Sequence, residues 1–195
     1  RAPIPVKGIV ETAVAGMIRQ LSADPTSVVI IFATQTTTDA GTYPRLLTEA
    51  GIDPARVVTQ ACPGLADTIS EDREGTKTRA EIRGWTRTAI GKMQNRDVPV
   101  VAALACTHYG YRKDLFAAAF ADEGIRATFI NPNERAVDDL FGPDPERLSH
   151  DARVELVTRY PIPSATIDAL TWFLTGISPK TVAAMQDFVH IPDLF

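Results

Sequence analysis

Two short, unbroken apolar runs constrain this chain more than any other feature: Val28-Val29-Ile30-Ile31-Phe32, and the stretch of Val98, Val100, Val101, Ala102, Ala103 and Leu104. Neither approaches the ~20 apolar residues needed to cross a bilayer. A strand with no polar alternation must be covered on both faces, the environment of a parallel sheet between helical layers. Elsewhere, short apolar runs alternate with helical patterns, the order of an α/β chain. The expected architecture is therefore αβα layers around a largely parallel sheet.

Periodicity supplies the helices. Val14, Met17, Ile18 and Leu21 repeat at i, i+3, i+4 and i+7, and Tyr43, Leu46, Leu47 and Ala50 repeat the spacing. A shorter strand is predicted from Arg56 to Gln60. Ile82, Trp85, Ala89, Ile90 and Met93 predict a long helix preceded by a polar loop from Ser70 to Gly75. A helix around Leu115 to Ala121 leads through Gly124 to a strand at Ala127 to Ile130. Asn131-Pro132-Asn133-Glu134 then caps a helix ending near Gly142. From Pro143 onward the texture changes: Pro145, Pro161, Pro163 and Pro179 punctuate three predicted helices. Ile167, Leu170 and Leu174 form one stripe there, and Val182, Met185, Phe188 and Val189 another. This helical C-terminal segment is expected to dock on the sheet's own lobe or on a neighbouring subunit.

In open parallel sheets, ligands sit beyond the carboxyl ends of strands, and both apolar runs end in polar clusters. The second ends in Cys106-Thr107-His108-Tyr109, placing a thiol, a hydroxyl and an imidazole on consecutive residues. Cys106 is where a catalytic group is expected, although a lone cysteine also serves as core filler. The first run ends in Ala33-Thr34-Gln35-Thr36-Thr37-Thr38-Asp39-Ala40-Gly41-Thr42-Tyr43. Hydroxyls and unpaired amides at a strand-to-helix junction suit a carboxylate; an ordinary threonine-rich loop capping a helix is the other reading.

Composition limits the partners. The 195 residues are 45% hydrophobic and 23% charged, ordinary for a globular chain, and net charge is −4. Acidic and basic residues are interspersed, so no basic stripe serves nucleic acid and no polybasic segment serves an anionic membrane. Without the order of a signal peptide at the N-terminus, the expected compartment is the cytoplasm. Two cysteines and three histidines lack the close spacing of a zinc site, so no metal is expected, and a cytosolic setting favours free thiols. His150 and His190 read as surface residues of the C-terminal segment.

Taken in order, the polar clusters resemble the cofactor-independent aspartate/glutamate racemases, glutamate racemase most closely. The family pattern of small residue, Thr, Thr, Ser-Gly and Tyr is met by Ala33, Thr34, Thr37, Gly41 and Tyr43, with Ala40 where serine is usual. Its Ala-Cys-Pro is Ala61-Cys62-Pro63, and its Cys-Thr-His-Tyr is Cys106-Thr107-His108-Tyr109. Ile4-Pro5-Val6 with Gly8-Ile9-Val10-Glu11 looks like the segment joining the family's two lobes, with Thr12 in place of a proline. Four ordered motifs over roughly residues 3–142 give the resemblance its specificity.

The resemblance implies an amino-acid racemase, acting on glutamate, that needs no pyridoxal phosphate. Inverting an α-carbon takes a base on one face and an acid on the other, roles that two opposed cysteines exchange. Cys106 would be one of them. His108 would polarise it, lowering a thiol that titrates at about 8.5; the other reading makes His108 a strand-end residue bonded to backbone. Thr107 with Thr34, Thr36, Thr37 and Thr38 would hold the carboxylates and ammonium of a small amino acid or dicarboxylate, while Cys62 would pack. The family's Asp-Ser-Gly and Cys-Asn-Thr motifs, the second carrying the opposing cysteine, are absent. The expectation is a fragment of a longer protein: 1–10 as a strand of a partly missing first lobe, 11–125 as the second lobe, 126–142 as the return to the first, and 143–195 as the appendage. A homodimer is possible. Two alternatives remain: a single-cysteine decarboxylase of the same superfamily, and a catalytically silent carboxylate-binding module.

Overall fold

The computed structural model describes residues 8–141 and 153–195. Its centre is a four-stranded parallel sheet of β1 (Val28–Ala33), β2 (Val57–Ala61), β3 (Val100–Leu104) and β4 (Ala127–Ile130), in the order β2-β1-β3-β4. The two uninterrupted apolar runs are the two central strands, β1 and β3, and every residue of each is buried. Their register sets Val28 beside Val100 and Phe32 beside Leu104.

Alternate side chains of these strands serve two separate cores, which is why no polar alternation survives in the sequence. Val28, Ile30, Phe32, Val100, Ala102 and Leu104 face a layer made by α4 (Leu65–Glu71), α5 (Thr76–Gly91) and α6 (Lys113–Asp122). Phe32 meets Phe116 and Phe120 there, with ring centroids 5.0 and 6.0 Å away. Val29, Ile31, Val101 and Ala103 face α1 (Ile9–Ala23) and α3 (Thr42–Glu49), whose Met17, Leu21 and Leu47 are fully buried. The layers are αβα, as the sequence predicts.

Several local expectations change. Ile9 and Val10 begin α1 and are helical, not strand; residues 1–7 lie outside the described residues. Segment 126–142, expected to return to another lobe, continues this sheet: β4 pairs with β3, and α7 (Pro132–Phe141) packs on α1, where the Thr12 hydroxyl donates to Asp139 at 3.1 Å. Gly142 and His150 lie outside the described residues. The polar run from Ser70 to Gly75 is only partly a loop. Ser70 and Glu71 end α4, a helix whose Leu65 and Ile69 are buried beneath a polar surface too short to show a period. Met93 lies beyond α5 yet remains buried.

The C-terminal module holds α8 (Ser164–Leu174) and α9 (Pro179–Gln186) among the described residues, with a parallel ribbon of β5 (Val157–Thr158) and β6 (Val189–His190). A third helix is not seen in 153–163; any part of it before Arg153 lies outside the described residues. Val189 belongs to the ribbon, not to the α9 stripe, because the helix ends at Gln186. α8 packs on α4 and α9 packs on α8, so the module docks on the lobe's own helices. Among the described residues no helix is long and apolar enough to cross a membrane.

Candidate functional site

The parallel order brings the carboxyl ends of β2, β1 and β3 to one edge of the sheet. Two backbone hydrogen bonds beyond the strands tie the three ends together: Cys62 N–H donates to Ala33, and Ala105 N–H donates to Phe32, each at 2.8 Å. Thr34, Cys62 and Cys106 thus each leave the sheet at the same end, although they stand far apart in sequence.

Cys106 is half-buried at the start of a tight turn. His108 stands at the N-cap of a 3-10 helix running from Tyr109 to Arg112, and the Tyr109 N–H donates back to the Cys106 carbonyl at 3.1 Å. Burial pushes the Cys106 thiol up from its ordinary value, backbone hydrogen bonds from His108 and Tyr109 oppose that, and the Asp67 carboxylate on α4 adds to the rise. The net direction is upward: burial outweighs the lowering by the His108 and Tyr109 backbone. His108 Nδ1 lies 3.8 Å from the sulfur, and 3.4 Å from the Thr107 hydroxyl, so the imidazole touches both.

The threonine cluster is not a loop. Residues Gln35–Ala40 form a short helix, α2, with Thr34 as its cap: the Thr34 hydroxyl accepts from the Thr37 amide at 3.3 Å and bonds the Thr37 hydroxyl at 3.0 Å. Thr34 and Thr37 therefore satisfy one another. Thr36 is exposed, and the buried Thr38 hydroxyl oxygen has no hydrogen-bond partner. Gly41, in the left-handed conformation at φ 62°, ends α2 and opens α3. Thr107 is exposed.

A small cavity of about 60 Å³ is lined by Cys106, Thr107, Leu104, Ala105, Tyr43, Asn133, Pro132 and Ile9. That is room for about two waters, well short of an amino acid. Tyr43 enters from α3, buried, with its phenol pushed up by burial and by Glu11. Asn133 enters from the first turn of α7 and donates to the Thr107 carbonyl at 3.0 Å. The sequence reading gave neither Asn133 nor Asp67 a part here; the Asn-Pro-Asn turn was legible only as a helix cap, and its position after a strand neighbouring β3 was the available signal. Ser70 and Glu71 stay outside the site: the buried Ser70 hydroxyl donates to the Ala66 carbonyl at 2.9 Å, and Glu71 is exposed.

Cys62 sits at the end of β2 and is 1% exposed. Burial pushes it up to about 12. Its thiol lies 3.6 Å from the Gln60 carbonyl, and the buried Tyr109 hydroxyl donates to its own carbonyl at 3.3 Å. Both cysteines are free. A larger groove, about 740 Å³, lies between residues 153–157 and α9 and shares no residue with the Cys106 turn.

No family model matches the chain. By sequence it is similar to glutamate racemase from Stutzerimonas stutzeri, 35% identical over 94 residues, or 48% of this chain and 33% of that protein. It is 36% identical over 107 residues to glutamate racemase from a Jannaschia species, 54% of this chain and 36% of that protein. A third, from a Nitratiruptor species, is 27% identical over 140 residues, 71% of this chain and 50% of that protein. The matches thus span between a third and a half of these relatives' length. In fold, the chain superposes on the crystal structure of glutamate racemase from Campylobacter jejuni with a TM-score of 0.63 at 19% identity, covering 89% of this chain and 65% of that one. An isoform from Bacillus anthracis gives a TM-score of 0.63 at 18% identity, covering 88% and 62%.

Proposed function

We propose that this chain, a homologue of the glutamate racemases over the region matched, carries one acid/base half of a cofactor-independent amino-acid racemase, with glutamate as substrate and Cys106 as the working thiol. The observation that carries the reading is the Cys106 turn itself. A half-buried sulfur just beyond the central strand β3 has an imidazole nitrogen 3.8 Å away and opens a turn whose His108 and Tyr109 backbone works against its desolvation. Amides and imidazole are what a thiolate needs beside it when it takes an α-proton, and a thiol so placed returns a proton in the reverse direction. Thr107, its hydroxyl exposed beside His108, is positioned to meet a carboxylate, whose charge must be stabilised as the carbanion forms. The threonines of 34–38 support this reading less directly, since Thr34 and Thr37 bond each other. Racemisation needs a second acid/base on the opposite face, and the other described thiol, Cys62, is too buried to supply it.

The upward shift of Cys106 favours a second reading, in which the neutral thiol is a proton donor only, as in a single-cysteine decarboxylase. The two separate in heavy water. With L- or D-glutamate, NMR should show α-deuterium incorporation by the chain and about a hundredfold or greater loss in Cys106→Ala. Exchange that survives Cys106→Ala, or no exchange with either enantiomer, sinks the racemase reading; carbon dioxide release from an aryl-substituted malonate would then favour the donor.

A further inference from the structure

The C-terminal module reaches the Cys106 turn. Phe173 on α8 stacks on Tyr111, ring centroids 5.4 Å apart and planes 13° from parallel, and the Arg112 guanidinium carbon lies 5.9 Å from the same ring. Tyr111 and Arg112 belong to the 3-10 helix that begins one residue after His108. The Tyr109 N–H donates to the Cys106 carbonyl and the Tyr111 N–H to the His108 carbonyl, each at 3.1 Å, so Cys106 is tied into the same short turn that Phe173 holds. The other end of the hold is as well fixed. Arg112 is buried, pairs with Asp114 at 3.3 Å, and lies hard against Gly75, whose φ of 75° and missing side chain make room for it. α8 also packs on α4, the helix that carries Asp67.

We infer that Phe173 is a positioning residue for the Cys106 thiol: through Tyr111 and Arg112 it clamps the 3-10 turn, and so sets how closely the turn and the surrounding protein enclose the sulfur. The inference rests on Cys106 as the working thiol, but concerns what holds it. The groups facing that sulfur are His108 and Tyr109 from its own turn, Asp67 from α4 and Cys62 from the end of β2. Phe173 touches none of the reacting atoms; it acts by keeping the turn closed.

The test is the rate of Cys106 alkylation by iodoacetamide across pH in the full chain, read by mass on the peptide, with Cys62 as the internal report of an intact fold. Phe173→Ala should let water reach the sulfur, so that Cys106 alkylates about three- to tenfold faster at fixed pH, the worth of one aromatic pair, with its midpoint moved down. Phe173→Tyr, which keeps the ring, should restore the original profile. An unchanged or slower Cys106 in Phe173→Ala, with Cys62 still protected, overturns the inference. Should Phe173→Ala expose Cys62, Tyr111→Ala removes the stack from its half-exposed side, and an unchanged Cys106 profile there overturns it equally. Alkylation reads the thiol whether or not glutamate exchanges its proton, so failure of the racemase reading and failure of the clamp give different results.

Discussion

Cys62 and Cys106 leave the same edge of the same sheet, on strands separated only by β1, yet their surroundings make them different reagents. Cys62 follows a strand whose helix, α4, folds straight back over it, and Tyr109 lies beneath, so the sulfur has no water and is pushed up to about 12. Cys106 follows a strand whose next residues turn sideways into a 3-10 helix, leaving the sulfur half-covered beside the His108 ring. Residue type and strand position do not distinguish them. The path of the following few residues does.

The sharpest measure of that difference is alkylation. At pH 8, iodoacetamide should modify Cys106 about a thousandfold faster than Cys62, since Cys62 offers neither thiolate nor access; comparable rates, read by peptide mass, would break the contrast. The second consequence is on stability. A thiol held above its unfolded value contributes stability that is complete below the unfolded value and is lost as pH rises toward the folded one. For Cys62 the window runs from its ordinary value of 9.0 to about 12. Through it, the wild-type chain should lose stability relative to Cys62→Ala by about 1 kcal/mol per pH unit. Parallel urea midpoints for the two proteins across that range would show Cys62 to be hydrated. Smaller again is Tyr109→Phe, which removes the hydroxyl that donates to the Cys62 carbonyl. It should cost about 1 kcal/mol in chemical denaturation and leave the Cys106 alkylation rate as it was; a faster Cys106 would mean that the ring's tether, not its packing, sets the turn.

How much of this was legible in the sequence follows from the range of each interaction. β1 and β3 declared themselves because burial on both faces removes every polar residue, a local mark of a tertiary fact. The Cys106 motif was legible because its members are consecutive, and Cys62 was correctly assigned to packing. The helix of Gln35–Ala40 was not, because five polar residues and a threonine cap read as loop at any short range. The direction of the Cys106 shift was not legible for a different reason: His108 is adjacent in sequence and visible, whereas the burial that raises the thiol comes from elements elsewhere in the chain. Asn133 and Phe173 are 27 and 67 positions beyond Cys106 and reach its turn only through strand order and helix docking.

The smallest effect probes the side of Cys106 that faces α4. Asp67 is exposed, so its carboxylate acts on the thiol across solvent, where screening is strong. Removing a negative charge favours the thiolate, so Asp67→Asn should move the Cys106 alkylation midpoint slightly down at low salt. In 1 M salt the Debye length falls to about 3 Å, and the two proteins should converge. A shift that persists in high salt would mean that the substitution repacked α4 against the turn. No shift at low salt would leave burial alone as what raises Cys106, and the two thiols would then differ only in how completely the protein covers them.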